Sequence, residues 1–166
     1  MKEILQHPND ILRAQTEAIP LEKVNSAETA KNIHDMKEAL AGESDGIALA
    51  APQIGISKRI FIVSGHVFQK KETDPIPEDR VFINPKIIKT SKETVWLDEG
   101  CLSIRPIYGE VPRAEKVTIT AYTENGEKIE RGASGLLAQI FQHEIDHLNG
   151  ILFIDTARMT STHKHE

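Results

Sequence analysis

The clearest helical periodicities fall towards the two ends of the chain, and short β-branched runs fill the middle. Near the start, Ile33, Met36 and Leu40 recur at helical spacing with Lys37 on the same side, which predicts a helix over Ala27–Ala41. Ser26 is placed to cap it, because its hydroxyl can accept from a first-turn N–H, and Gly42 and Gly46 close it. A late helix begins after Ser134 as N-cap. In it Leu136, Ile140 and His143 share a face, and Gly150 stands where a C′ residue belongs.

Between the helices, Arg59-Ile60-Phe61-Ile62-Val63 has the β-branched and aromatic content of a strand. Residues 64–79 carry charges and two prolines and read as a loop or loose hairpin. Separate apolar runs follow at Val81–Ile83, Lys86–Ile88 and Thr94–Leu97. Lys116–Tyr122 alternates, with Val117, Ile119 and Ala121 on one face. Asn125-Gly126 then predicts a hairpin whose partner strand is Lys128–Arg131. The segment up to Pro20 reads as extended chain and turns. Strands do not alternate with helices, so the expected class is α+β: antiparallel strands packed around the late helix, with one further N-terminal helix.

Length and composition narrow this picture. A chain of 166 residues with 39% hydrophobic content fits one domain over 1–166, with a short polar tail from about residue 156. The net charge of -5 argues against a dedicated nucleic-acid binder, and Arg105, Arg113 and Lys116 read as solvated surface charge. No segment approaches the ~20 apolar residues of a membrane helix, and the start has no apolar stretch of signal-peptide length. A single cysteine cannot form an internal disulfide. A cytoplasmic protein with no membrane contact is therefore expected.

The late helix contains His143-Glu144-Ile145-Asp146-His147. Four residues advance ~400° around a helix, so both imidazoles project in nearly the same direction and can converge on one ion. Glu144 is offset by ~100° and can reach a water beside that ion without ligating it. Leu136 and Ile140 continue the histidine face, so the imidazoles are expected to point inward, where polar groups need partners. His163 and His165 lie in the polar tail and read as solvated. Cys101, in Glu99-Gly100-Cys101-Leu102-Ser103, is the better third ligand, and Gly100 is expected to let the backbone approach the ion closely. Two imidazoles and a thiolate leave a fourth position open, as catalytic sites do.

Three short motifs now stand in order: Gly46-Ile47-Ala48-Leu49-Ala50-Ala51-Pro52-Gln53, Glu99-Gly100-Cys101-Leu102-Ser103, and Gln142-His143-Glu144-Ile145-Asp146-His147-Leu148. Together with Val111-Pro112-Arg113-Ala114-Glu115-Lys116-Val117, they make the chain resemble the peptide deformylase family over roughly residues 3–155. The resemblance implies a metal-dependent hydrolase that removes the formyl group from the N-terminal formyl-methionine of newly made proteins. It implies Cys101, His143 and His147 as metal ligands, with ferrous iron expected and zinc or nickel as substitutes. Glu144 would take a proton from the attacking water and deliver one to the leaving amine. The Gln53 side-chain amide and the Leu102 backbone N–H would stabilise the oxyanion.

By the same resemblance, Gly46, Ile47 and Ala48 would border the substrate backbone, which pairs as an added strand. Ile47, Leu97, Leu136 and Ile140 would form the methionine pocket. Glu99 would support the site from behind, paired with Arg113, and Asp146 would orient a ligand imidazole. N-formylmethionyl nascent peptides would be the partners, with transient ribosome contact as a further expectation. Some bacterial members dock there by a long basic C-terminal helix; the short stretch after Asp155 argues against that route.

One departure concerns Ala48, which stands where the family normally has a second glycine. Altered substrate affinity with retained activity is expected from that methyl. Two rival readings weigh less. A metallopeptidase with the same helix pattern leaves Cys101 and Gln53 idle, and a non-catalytic peptide-binding module leaves Glu144 and Gln53 unexplained.

Overall fold

The run Ile60-Phe61-Ile62-Val63 is buried on both faces, and this places it between two apolar layers. A computed structural model of the chain describes residues 1–163. In it helix α1 spans Ala27–Ala41, and strands β1 to β3 span Ala48–Ala50, Ile60–Val63 and Arg80–Thr90. Strands β4 to β7 span Thr94–Gly100, Tyr108–Ala114, Lys116–Tyr122 and Lys128–Ser134; helix α2 spans Gly135–Leu148, and β8 spans Arg158–Ser161. A five-stranded antiparallel sheet runs β1-β2-β3-β6-β7, and a second sheet runs β4-β5-β8.

Alternation along β2 explains the layers. Ile60 and Ile62 join Leu49, Val81 and Ile83 against Ile33, Met36 and Leu40 of α1. Phe61 and Val63 join Phe82, Val117, Ile119 and Ala121 against Ala138, Ile140, Phe141, Ile145 and Leu148 of α2. Phe61, Phe82 and Phe141 interlock with ring centroids 4.8 to 5.9 Å apart. The smaller sheet has its own cluster, in which Val111 packs with Leu12, Ile104, Leu152 and Phe153. Helix α2 contacts strands of both sheets. The expected α+β arrangement around a central helix is the one observed.

Ser26 caps α1 by accepting from the Thr29 N–H at 3.3 Å, and Ser134 and Gly150 flank α2 as expected. The expected runs at 81–83 and 86–88 instead form one strand, β3, with a register shift between Ile83 and Lys86. Asn84 makes this tolerable. At φ 50 its amide donates to the Ile19 carbonyl at 2.8 Å and accepts from the Ile19 N–H at 2.9 Å. Strand β5 has no counterpart in the sequence reading, because Pro112 and a buried Arg113 disguise its alternation. Pro112 lies beyond the last residue paired with β8, so its missing donor breaks no ladder bond there.

The segment from 156 is more than a polar tail, since Arg158–Ser161 pairs with β5. His163 is exposed as expected; His165 lies outside the described residues. Among the described residues no helix is long and apolar enough to cross a membrane.

Gly150 has φ 74, and a Cβ there would meet the Arg13 carbonyl oxygen well inside contact distance. Gly126 also has positive φ but open space around it. Gly150→Ala is therefore expected to lose about 3 kcal/mol or more in urea unfolding, and Gly126→Ala about 1 kcal/mol. Equal losses would show that the α2 terminus does not depend on this close approach.

Candidate functional site

The two sheets and α2 enclose a cavity of about 350 Å³, within the range of small-ligand pockets. Its lining includes Gly46, Ile47 and Ala48 on one side, Glu99 to Leu102 on another, and Leu136, Ile140, His143 and Glu144 from α2. Thus the three motifs, up to a hundred residues apart in sequence, meet at one place.

Cys101, His143 and His147 present ligand atoms that all lie within 4.8 Å of one another. The Cys101 Sγ is 3.2 Å from His147 Nε2, and the two imidazole rings stand at 69° with centroids 4.9 Å apart. His143 Nδ1 is bonded to Glu99, which leaves Nε2 free to face the cysteine. Burial pushes His147 well below the usual imidazole range, whereas at His143 burial is outweighed by the hydrogen bonds with Cys101 and Glu99, which hold the imidazole well above it, so an ion bound there would take the place of a proton. One sulfur and two imidazole nitrogens brought this close together suit a transition-metal ion. These residues could hold one.

Glu99 is the hub beneath them. It accepts from Arg113 Nε at 2.9 Å and from Arg113 Nη2, from Gln139 Nε2 at 3.2 Å, and from His143 Nδ1. Burial opposes its ionisation, but the hydrogen bonds from His143 and Arg113 outweigh this and hold its carboxyl at about 2. Arg113 is buried, not solvated, and its Nη1 donates to Asp146 at 2.8 Å. Asp146 therefore holds the arginine, and the imidazole-orienting acceptor is Glu99. The correction follows from helix geometry: Asp146 is offset from both histidines, whereas β4 brings Glu99 directly beneath His143.

Glu144 is only 3% exposed, and its Oε2 has no hydrogen-bond partner among the described residues. Its Oε1 is 3.8 Å from His143 Nε2. Burial raises its carboxyl to about 7. Gln53, 1% exposed, is fixed at both ends: Oε1 accepts from the Ala50 N–H at 2.9 Å, while Nε2 donates to Ser103 Oγ at 3.0 Å and faces Cys101 Sγ at 3.6 Å. The Leu102 carbonyl accepts from Gln6 Nε2 at 2.7 Å, and its N–H donates to no group among the described residues.

Some expectations need revision. Leu97 does not line the cavity; it sits opposite Val111 on β4, on the same face as Val95 and Glu99. Gly100 is required by a ring rather than by an ion, because a Cβ there would lie 2.6 Å from Tyr108 Cε1. Leu136 lines the cavity while 51% exposed, and Ile140 lines it from the buried side. The Ala48 methyl belongs to the apolar layer shared with Ile140 and Phe141 while its residue borders the cavity.

Sequence reasoning also missed Ser103, Gln139, Arg105 and Tyr108. A pattern search for ligands could not find them, since three of the four are polar or aromatic residues in loops or strands without periodic signal. The N-terminal segment is a further surprise. Its Leu5 N–H donates to the Gln53 carbonyl and its His7 N–H to the Ser103 carbonyl, both at 2.7 Å, stitching two motifs together.

The raised carboxyl of Glu144 has a stability consequence. The folded state binds its proton more tightly than the unfolded chain, whose value is 4.5. In metal-free protein, stability is thus lost as pH rises from 4.5 through about 7. Metal-free Glu144→Gln is expected to melt higher than metal-free wild type at pH 8, by roughly 3 kcal/mol, with the gap closing towards pH 5. A gap independent of pH would contradict this reading of Glu144.

Comparison with known proteins agrees with this geometry. The sequence pattern of the family described as "Polypeptide deformylase" matches residues 1–163. A peptide deformylase of Neisseria meningitidis serogroup C is 43% identical over 152 residues, covering 92% of this chain and 84% of that protein. A probable peptide deformylase from synechococcus phage S-SSM7 superposes with TM-score 0.83 at 37% identity, over 94% of this chain and 99% of that one. The Met-ala-ser bound class I type b peptide deformylase from Acinetobacter baumannii gives TM-score 0.82 at 35% identity, over 93% and 98%. A family match over nearly the whole chain leaves no part of this site to be explained by another fold: the chain belongs to the polypeptide deformylase family, metal-dependent hydrolases that remove the formyl group from the N-terminal formyl-methionine of newly made proteins.

Proposed function

We propose that Cys101, His143 and His147 hold one divalent ion, ferrous iron in the native protein with zinc or nickel able to replace it, and that Glu144 carries the protons. The convergence of Cys101, His143 and His147, with Cys101, His143 and Glu144 opening onto the cavity, is the observation that supports the reading. When bound, the ion supplies a Lewis acid for the formyl carbonyl and lowers the pKa of water beside it.

The remaining work falls to the chain. Glu144, buried beside the three ligand residues and with a free Oε2, is placed to take a proton from the attacking water. It then hands a proton to the departing amine, so formate and a free N-terminus leave. The Gln53 amide, already locked by Ala50 and Ser103, and the unengaged Leu102 N–H are donors for the oxyanion that forms. The Leu102 N–H is already unengaged, and Gln53 has only to turn one N–H from Cys101 Sγ to the oxyanion while its other bonds hold it in place. Glu99 fixes the His143 tautomer from behind, with Arg113, Asp146 and Gln139 fixing Glu99.

Strand β1 is an edge of the five-stranded sheet. The Ile47 carbonyl accepts from Ser64 on the inner side, and alternation turns the backbone groups of Ala48 to the free side, while the Gly46 N–H is held by the Glu43 carbonyl at 3.2 Å. An extended formyl-peptide can add there as a further strand, with its methionine side chain among Ile47, Leu136 and Ile140. The reaction belongs to the cytoplasm, where formylated chains emerge from ribosomes, and to a single catalytic domain over 1–166.

Protein prepared anaerobically with ferrous iron is expected to release formate from formyl-Met-Ala-Ser, with metal content near one per chain. Glu144→Ala should bind the same amount of metal and lose at least about 100-fold in kcat. Unchanged turnover in that variant would contradict the proposed proton carrier.

A further inference from the structure

The cavity has a buried floor and an exposed mouth. Gln53 and Glu144 at the floor are almost inaccessible, whereas the side chains of Arg105 and Asp45, which also line the cavity, are 44% and 63% exposed. These two stand on opposite walls. Glu43 and Asp45 precede β1, the wall that pairs with substrate, and Arg105 lies in the loop after Cys101. Arg105 Nη2 donates to Glu43 Oε2 at 2.9 Å and to Asp45 Oδ1 at 3.1 Å, so the guanidinium spans the mouth.

Both bonds use one nitrogen. Nε and Nη1 donate to no group among the described residues. The loop beneath is braced as well, since the Arg105 N–H donates to Gln6 Oε1 at 3.4 Å and Gln6 holds the Leu102 carbonyl. Exposed ion pairs contribute only ~0–1 kcal/mol to folding, so stability is a weak reason for this one. Its clearer effect is to hold a planar fork, with unused donors, still at the cavity mouth.

A peptide leaving the floor along β1 in extended form advances ~3.3 Å per residue, so the fork at the mouth faces residues beyond its first. We infer that Arg105 is a specificity-determining residue that donates from Nε and Nη1 to a main-chain carbonyl of the substrate beyond its first residue, so that the enzyme favours longer formyl-peptides. A carbonyl fits better than an acidic side chain, because Glu43 and Asp45 together outweigh the single charge of Arg105. The inference rests on the deformylase reading above.

The test compares formyl-Met amide with formyl-Met-Ala-Ser on iron-loaded enzyme. Arg105→Ala is expected to raise KM for the tripeptide about tenfold with kcat within twofold, and to leave both constants for the amide within twofold. Arg105→Lys keeps the charge but not the fork, and should raise the tripeptide KM about threefold with the amide unaffected. Equal KM changes on both substrates, or none on the tripeptide, would overturn the role of Arg105. Formate release by the unaltered enzyme stands apart: its absence from both substrates contradicts the deformylase reading itself, whatever the variants do.

Discussion

The site depends on a carboxylate that cannot reach water. Glu99 is buried yet held ionised, at about 2, and a lone buried carboxylate would cost several kcal/mol. Every residue around it answers that cost. Arg113 reaches from β5 with a two-pronged contact, Gln139 and His143 reach down from α2, and Asp146 accepts from the arginine's remaining Nη1. The same bonds join both strands of the β4–β5 hairpin to the helix and aim His143 Nε2 at Cys101. Folding and ligand orientation are thus one set of interactions.

The rest of the architecture brings partners to that hub. The five-stranded sheet supplies β1 with a free edge; the smaller sheet supplies Cys101 at the end of β4. Helix α2 lies between them and carries both histidines on one face, with Phe141, Ile145 and Leu148 on another packing into the main core. The N-terminal segment then ties the Gln53 and Ser103 backbones together, so Gln53, Leu102 and Cys101 share one frame.

Much of this was legible in the chain, and what was legible was local. The i, i+4 histidines, the Ser26 cap, the Asn125-Gly126 turn and the alternation of Lys116–Tyr122 are short-range signals, and each appears in the structure where the pattern put it. What stayed hidden required contacts across the fold. By charge and position alone Arg113 looks like a surface residue; the family resemblance pairs it with Glu99, and the pairing of β4 with β5 is what buries the two together. Gly100 looked like a concession to the ion, since nothing local reveals that the Tyr108 ring covers it. Asp146 sits next to a ligand histidine in sequence, yet its carboxylate turns to Arg113. Strand β5 was invisible for the same reason: its buried positions are Gly109, Val111 and Arg113, only one of them a large apolar residue.

The central claim is that Cys101, His143 and His147 converge on one ion with Glu99 fixing the geometry. Titration of metal-free protein with cobalt(II), followed by optical absorption, tests it directly. The account predicts saturation at one equivalent, with a thiolate-to-cobalt charge-transfer band and strong d–d bands of a low-coordinate site. Cys101→Ser should abolish the charge-transfer band. Glu99→Gln should keep the band but weaken binding by roughly 10–100-fold. Saturation without a thiolate band, or a band that survives in Cys101→Ser, would contradict the assignment.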